Sequence, residues 1–261
     1  MAVGLGILGA SGRAGSQVVK VLPEFPDFRL KAALVAPCCP TLGRLCLSAE
    51  ENHGEAVSYS SDLAAAAGAC EAFIDFSTPE SSLALLRLAS QNAKPLFIGT
   101  TGFSDAQMDE VRELARKSPV LVAPNASFGV LVLRRLVKQA KRMLGPGFDS
   151  EILEVHHAMK KDAPSGTALT IGRDLTADFP SKLLFNRRGL RQEGEIGIAS
   201  LRGGDVCGDH TVFFFGPSER LELTHRITDR AVFARGALKA LEQLITCPPG
   251  LYSLEDMFKS V

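Results

Sequence analysis

Tryptophan is absent from this 261-residue chain and tyrosine occurs only twice, whereas phenylalanine occurs 15 times. That aromatic inventory decides little about function; the other absences decide more. There is no excess of charge of either sign: 29 basic and 29 acidic residues leave a formal net charge of zero. No global field therefore draws the chain to nucleic acid or to an anionic membrane, and neither is expected as a partner. No run of about 18 apolar residues is available to span a bilayer. The longest candidate, Val120 to Val137, is broken by Pro124, Asn125, Arg134 and Arg135. The opening residues Met1 to Leu8 are apolar but carry no basic leader, so they do not read as a signal peptide. The six cysteines, Cys38, Cys39, Cys46, Cys70, Cys207 and Cys247, show no C-x-x-C spacing. No zinc or redox pattern follows, and no metal site is predicted. A cytoplasmic location with reduced thiols is the expectation.

The composition that is present, 46% hydrophobic and 22% charged, is that of a globular protein with a real core. The length allows one large domain or two modest ones. Residues 3–8 predict a short buried strand, and Ser16 to Leu22 a helix. Between them lies Gly9-Ala10-Ser11-Gly12-Arg13-Ala14-Gly15. Strand, glycine turn and helix are how a dinucleotide-binding fold begins. Gly4, Gly6 and Gly9 spell G-x-G-x-x-G literally but fall inside the strand. Gly9, Gly12 and Gly15 bracket the turn and are the preferred register. A second strand is predicted over Arg29 to Val35. Such a strand normally ends in an acid for a ribose diol or an Arg for a 2′-phosphate. Here the corner reads Val35-Ala36-Pro37-Cys38-Cys39-Pro40 and has neither. NADH and NADPH both remain open, with Arg13 and Arg44 as candidate cations for a 2′-phosphate.

Strand and helix patterns alternate as far as Pro124, which predicts a mostly parallel sheet. Ligands bind at the C-terminal edge of such sheets. The segments Phe76-Ser77-Thr78, Gly99-Thr100-Thr101-Gly102 and Ala123-Pro124-Asn125 all fall on that edge. Near Ser127 the pattern changes. A helix over Val130 to Leu144 precedes strand-like runs at 151–156, 195–201, 210–215 and 220–226, with a helix at Leu169 to Phe179 and a loop at Asn186 to Glu193. Strands without intervening helices predict a second, α+β domain with a mixed, open sheet. His210 to Phe215 is apolar on both alternating faces, so both sides of that sheet should be covered, one by helices and one by another subunit.

Within the second region, Glu151 to Val155 leads into His156-His157-Ala158-Met159-Lys160-Lys161-Asp162-Ala163-Pro164-Ser165-Gly166-Thr167-Ala168. Two imidazoles and two ammonium groups thus collect where a strand gives way to a helix. Adjacent strand residues face opposite ways, so the histidines do not form a two-His metal site. Pro164 suits the first turn of a helix. Ser165, Gly166 and Thr167 would then offer unpaired amides to a carboxylate or phosphate. Taken singly, each part has a plain structural reading; their conjunction within a dozen residues favours an anion-binding catalytic site.

This long motif resembles the signature of the dihydrodipicolinate reductase (4-hydroxy-tetrahydrodipicolinate reductase) family, which acts in diaminopimelate and lysine biosynthesis. The similarity extends from Val3 to Phe258, through Gly99 to Gly102, Arg202-Gly203-Gly204-Asp205, Gly208 to Thr211 and the tail Asp229 to Leu238. The turn at Gly12 departs from the family only where Ala14 replaces its usual Met. The resemblance implies a discontinuous dinucleotide-binding domain, residues 1–127 with 231–261, and a substrate-binding and oligomerisation domain, 128–230. It implies closure between the two and a homotetramer built through the second sheet. It implies NADPH or NADH bound by Gly9, Ala10, Ser11, Gly12, Arg13, Ala14, Phe76, Ser77, Gly99, Thr100, Thr101, Ala123, Pro124 and Asn125. The implied reaction gives a hydride to ring carbon four of a cyclic dicarboxylate and a proton to the neighbouring carbon, with loss of water. His156 and Lys160 are the implied catalytic pair, and the residues do not say which delivers the proton. His157, Ser165, Gly166, Thr167 and Thr101 are the implied substrate contacts. The alternatives are a nicotinamide-binding sensor without turnover and a dehydrogenase acting on another amino-acid-derived dicarboxylate or imine.

Overall fold

The computed structural model describes residues 2–52, 54–179 and 181–258. In chain order the elements are β1 (Val3–Leu8), α1 (Gly15–Val21), β2 (Phe28–Leu34), β3 (Leu45–Leu47), β4 (Val57–Ser60), α2 (Leu63–Ala69), β5 (Ala72–Asp75), α3 (Pro79–Ser90), β6 (Leu96–Ile98), α4 (Asp105–Ala115) and β7 (Pro119–Val122). Then come α5 (Phe128–Leu144), β8 (Asp149–His156), α6 (Gly166–Thr176), β9 (Lys182–Phe185), β10 (Glu195–Arg202), β11 (Gly208–Gly216) and β12 (Glu219–Ile227). The chain closes with α7 (Ala231–Leu244), β13 (Gly250–Tyr252) and α8 (Leu254–Met257). Two compact units result: Met1–Ala126 with Arg230–Val261, and Ser127–Asp229.

The first unit is an eight-stranded sheet ordered β13-β7-β6-β5-β1-β2-β4-β3. Every neighbouring pair is parallel except β3 with β4. Its middle strands are apolar runs because both faces are covered by helices; β5 and β6 are buried at every residue. Leu34, Phe73, Leu85, Leu86, Leu96, Ile98, Val111 and Val120 are fully buried in one core cluster. Strand β1 lies between the half that runs out through β2 and the half that runs out through β5. The order in which strands are added reverses there, so the crevice of a doubly wound sheet opens at the end of β1. Helix α7 packs back on α1.

The second unit is a five-stranded mixed sheet ordered β12-β11-β8-β10-β9. Strands β12, β11 and β8 are antiparallel, while β8, β10 and β9 are parallel. Strand β8 alternates strictly, so Ser150, Ile152, Glu154 and His156 face inward. The core beneath combines Leu133, Val137, Ile171, Leu175, Ile198, Val212 and Phe214, drawn from α5, α6 and the sheet. The fold is thus α/β, a Rossmann-type parallel sheet followed by a mixed one, as the pattern of the sequence predicts. The expectation that β11 is covered on both faces is met within the chain on one face only. Val212 and Phe214 are buried under the helices, whereas Phe215 on the opposite face is 39% exposed.

Candidate active site

In the first unit the turn between β1 and α1 is shaped by its glycines. Gly9 has φ +78°, and an added Cβ would lie 2.3 Å from the Phe76 carbonyl oxygen. At Gly15 an added Cβ would lie 2.2 Å from the Gly9 carbonyl oxygen. No side chain fits either position, so the helix starts tight against the strand. The Gly9 and Ala10 amides both donate to the Leu34 carbonyl, at 2.9 and 3.0 Å. The amides of Ser11, Arg13 and Ala14 make no hydrogen bond among the described residues, and the first turn of α1 holds no acid. Outward-facing amides free of neighbouring negative charge suit a pyrophosphate.

The segments after β5, β6 and β7 meet on one sheet edge, because these strands are neighbours in the sheet. A buried carboxylate ties two of them together. Ser77 Oγ donates to Asp75 at 2.5 Å and Thr100 Oγ1 at 3.0 Å, while the Ser77 amide donates to Thr100 Oγ1 at 2.8 Å. Ser82 Oγ donates to the same carboxylate. Burial pushes Asp75 above the usual carboxylate range, and its hydroxyl partners oppose that shift. The Phe76 ring lies over Gly99, where a Cβ would come within 2.1 Å of it. The Ala123 amide donates to the Ile98 carbonyl at 2.9 Å, carrying Ala123, Pro124 and Asn125 onto the same edge. Gly9 to Ala14, Phe76, Ser77, Gly99 to Thr101 and Ala123 to Asn125 therefore line the C-terminal ends of adjacent strands. At the corner after β2, Cys39 Sγ is 3.4 Å from Ser11 Oγ and 3.1 Å from Thr41 Oγ1. Arg13 and Arg44 are exposed and make no ion pair among the described residues.

In the second unit the inward face of β8 ends in Glu154 and His156. Glu154 is fully buried. Its carboxylate accepts from His156 Nδ1, from Arg202 Nη1 at 3.0 Å and Nη2 at 2.7 Å, and from the Ser165 amide at 3.3 Å. Arg202 Nη2 also donates to the Asp162 carbonyl at 2.5 Å, holding the loop that follows β8. Burial acts to raise Glu154, but hydrogen bonds from Arg202, Ser200 and His156 win and hold it below the usual range. Burial lowers His156 against the pull of Glu154, with Lys160 and Arg202 adding to the fall. The pair is therefore a carboxylate beside a neutral imidazole. An ionised carboxylate only accepts, so Nδ1 carries the hydrogen and Nε2 keeps its lone pair. The His210 ring meets His156 edge-on at 5.3 Å, and burial pushes it down to about 4.

Helix α6 is capped by Ser165, whose Oγ accepts from the Ala168 amide at 3.2 Å and also meets His210 Nε2 at 3.1 Å. The Gly166 amide makes no hydrogen bond among the described residues, and nothing crowds that glycine within 4 Å. Lys160 Nζ pairs with Asp162 at 2.9 Å, and its amide donates to the His157 carbonyl. His157 is half-buried at the end of the strand. Two details of the sequence reading are corrected. Pro164 lies outside the helix, ahead of the capping Ser165, because the cap needs a side-chain acceptor that proline lacks. The Ser165 amide is not open to a ligand, because Glu154 takes it and the cap and His210 take the hydroxyl.

Glu154, Arg202 and His210 are residues to which the sequence alone assigns no role in the site. Glu154 had a signal: it is an acid two residues before His156, hence on the same strand face. Arg202 and His210 lie in segments that carry the family resemblance, but nothing in those segments announces a contact with Glu154 or His156. Arg202 lies opposite His156 through the β10 register, and His210 opposite Glu154 through the β11 register.

A switch-point turn shaped for a pyrophosphate and a separate sheet carrying a histidine, a lysine and a helix N-terminus define a Rossmann-type oxidoreductase with a nicotinamide cofactor. Residues 3–126 match the family model described as dihydrodipicolinate reductase, N-terminus, and residues 129–258 the one described as dihydrodipicolinate reductase, C-terminus. The chain is 40% identical to a 4-hydroxy-tetrahydrodipicolinate reductase of Anaeromyxobacter dehalogenans, covering 96% of both proteins. It is 37% identical to the enzyme of the same name from Citrifermentans bemidjiense, covering 98% of both. A dihydrodipicolinate reductase from Paenisporosarcina sp. TG-14, solved with dipicolinate bound, superposes with a TM-score of 0.78 at 27% identity, over 98% of this chain and 99% of that one. The chain belongs to the dihydrodipicolinate reductase family.

Proposed function

We propose that the protein reduces 4-hydroxy-tetrahydrodipicolinate to tetrahydrodipicolinate with NADPH or NADH, in the cytoplasmic synthesis of diaminopimelate and lysine. The first unit is the dinucleotide-binding domain, and the second binds the substrate and joins subunits into a homotetramer. Bound reduced nicotinamide supplies the hydride. The open amides of Ser11, Arg13 and Ala14 favour the pyrophosphate, and the loops clamped by Asp75 favour a fixed seat for the ring they face. The substrate is a cyclic dicarboxylate. In a chain of zero net charge it needs local positive potential, which the Gly166–Thr167 turn of α6 and Lys160 supply. His157 and Thr101 are further substrate contacts.

Hydride addition leaves electron density on the adjacent ring carbon, where a proton must be delivered. Lys160, an ammonium paired with the partly open Asp162, has a proton to give. His156, neutral and committed at Nδ1 to Glu154, presents a lone pair at Nε2 and serves as acid/base or electrostatic partner. The observation that carries the reading is the convergence of His156, the Lys160 loop and the start of α6 on the Glu154–Arg202 pair, in a chain matched over nearly all of its length by named reductases.

Oxidation of NADPH and of NADH, each assayed with freshly generated substrate, tests it. Turnover with either is expected. The ratio of the two kcat/KM values reads out the β2 corner, where a ribose acid is missing. Cofactor binding without turnover would overturn the reading in favour of a sensor or another substrate. A second measurement tests the lysine. Positioned proton transfer contributes about 10²–10⁴ in rate, so Lys160→Ala should lose about that factor in kcat with cofactor affinity intact. An unchanged kcat would remove Lys160 from the chemistry.

A further inference from the structure

We propose that Glu154 is the positioning residue of this site, one carboxylate that sets the tautomer of His156 and ties it to the helix that seats the substrate anion. The inference rests on the reductase reading above and goes beyond it, since Glu154 is fully buried and acts through the groups it holds. Its two oxygens divide the work. Oε2 takes the His156 Nδ1 hydrogen and Arg202 Nη1, while Oε1 takes Arg202 Nη2 and the Ser165 amide. Ser165 is the N-cap of α6, one residue before the open Gly166 amide. The imidazole and the anion seat therefore share one anchor, and neither turns without disturbing the other.

A purely structural role explains less. Arg202 alone satisfies both oxygens, and a buried ion pair is weak evidence for stability because desolvation offsets most of its Coulomb gain. Here Arg202 even leaves its own Nε buried without a hydrogen-bond partner. The His156 and Ser165 contacts are additional to that pair; the first holds the imidazole and the second the cap of the helix proposed to seat the anion. The charge also decides the tautomer. With an acceptor-only neighbour at Nδ1, Nε2 is left as the acceptor on the other edge of the ring, beside Gly208, where a Cβ would come within 3.0 Å of it. A neighbour that donates would reverse both ends of the ring. The charged and titratable groups around His156 are Glu154 on its own strand, Lys160 in the following loop, Arg202 on β10 and His210 on β11. Glu154 is the sole anion among these four, so its removal leaves every remaining influence disfavouring an imidazolium.

The test is a double-mutant cycle with a spectroscopic arm. Glu154→Gln should lower kcat roughly ten- to a hundredfold, the scale on which outer partners of a functional histidine act. The limb of the pH–rate profile that reports His156 should also move to lower pH. Made in a His156→Gln background, the same substitution should cost clearly less kcat than in the native background, because the part of its effect that runs through the imidazole is already gone and only the anchoring of α6 is left to lose. An equal loss in both backgrounds, or a loss of stability with kcat and the pH profile unchanged, would overturn the proposal. The ¹⁵N shifts of the His156 imidazole in the unsubstituted protein provide an arm that needs neither turnover nor a folded variant. A neutral ring protonated at Nδ1 supports the assignment, and one protonated at Nε2 overturns it. Absence of turnover in the unsubstituted protein would sink the reductase reading without touching that tautomer. The wrong tautomer in an active enzyme would sink only Glu154.

Discussion

His210 shows what burial does to a single ionisable side chain. It is 2% exposed, its Nδ1 has no hydrogen-bond partner among the described residues, and the centre of the His156 ring lies 5.3 Å from its own. Burial is the main cause that holds it at about 4, against an ordinary value of 6.5. The folded state thus keeps the ring neutral where the unfolded chain would protonate it. Between those two values the unfolded state binds more protons, so stability rises with pH across the window. The stabilisation is fully present above about pH 6.5 and is lost as pH falls toward about 4. A gap of this size corresponds to at most about 3 kcal/mol. His156 and His225 are depressed in the same direction and add to the same slope. Urea unfolding followed by far-UV circular dichroism at pH 7 and pH 5 should show a clear fall in midpoint, reduced in His210→Asn. A midpoint unchanged between the two pH values would show that the buried imidazole does not resist protonation.

At the scale of elements, legibility followed length and locality. Strands β1, β5 and β6 could be read because continuous apolar runs end abruptly in turn residues. Helix α5 could be read because its apolar residues recur at helical spacing, and α6 because Ser165 stands ahead of a periodic run. Strands β3, β4, β9 and β13 span only three or four residues each, too few for an alternation to declare itself, and the sequence pattern assigns them no element. The candidate site divides the same way. His156, Lys160 and Gly166 are legible because they lie within a dozen residues and their chemistry needs no distant partner. Arg202 and His210 reach the site only through the pairing of β8 with two different neighbours, and register between strands 46 to 56 residues apart is a property of the folded sheet. The β2 corner was legible only as a missing acid. That Cys39 stands beside Ser11 of the glycine turn follows from how the corner folds back, which no spacing announces.

At the scale of the whole molecule, the outer face of the second sheet remains to be accounted for. Leu153, Ala199, Leu201, Phe213 and Phe215 lie on the side of that sheet away from α5 and α6, and Leu201 is 53% exposed. Phe213 and Phe215 stack at 5.6 Å with their planes 9° apart. Leu153, Ala199 and both phenylalanines border a cavity of about 460 Å³ whose charged wall is Asp149, Glu151, Arg187 and Arg191. Those four charges pair among themselves, Arg191 with Asp149 at 2.8 Å and Arg187 with Glu151 at 2.5 Å. A wall already neutralised needs no charged partner, so the apolar part of the face sets the chemistry of what covers it. A second copy of the same sheet offers the same apolar strip, which is the self-complementarity that a two-fold interface requires. Burying it would remove apolar area from water at about 25 cal/mol per Å². Sedimentation should therefore give at least twice the 27.9 kDa of one chain, and four times that mass for the proposed tetramer. Replacing both Phe213 and Phe215 with Lys should split the assembly, because ammonium groups placed in the strip would face one another across the two-fold. The first unit lies outside that strip, so cofactor binding by the separated subunits should persist. A single-chain mass for the unsubstituted protein would leave the apolar face uncovered and remove the tetramer from the proposal.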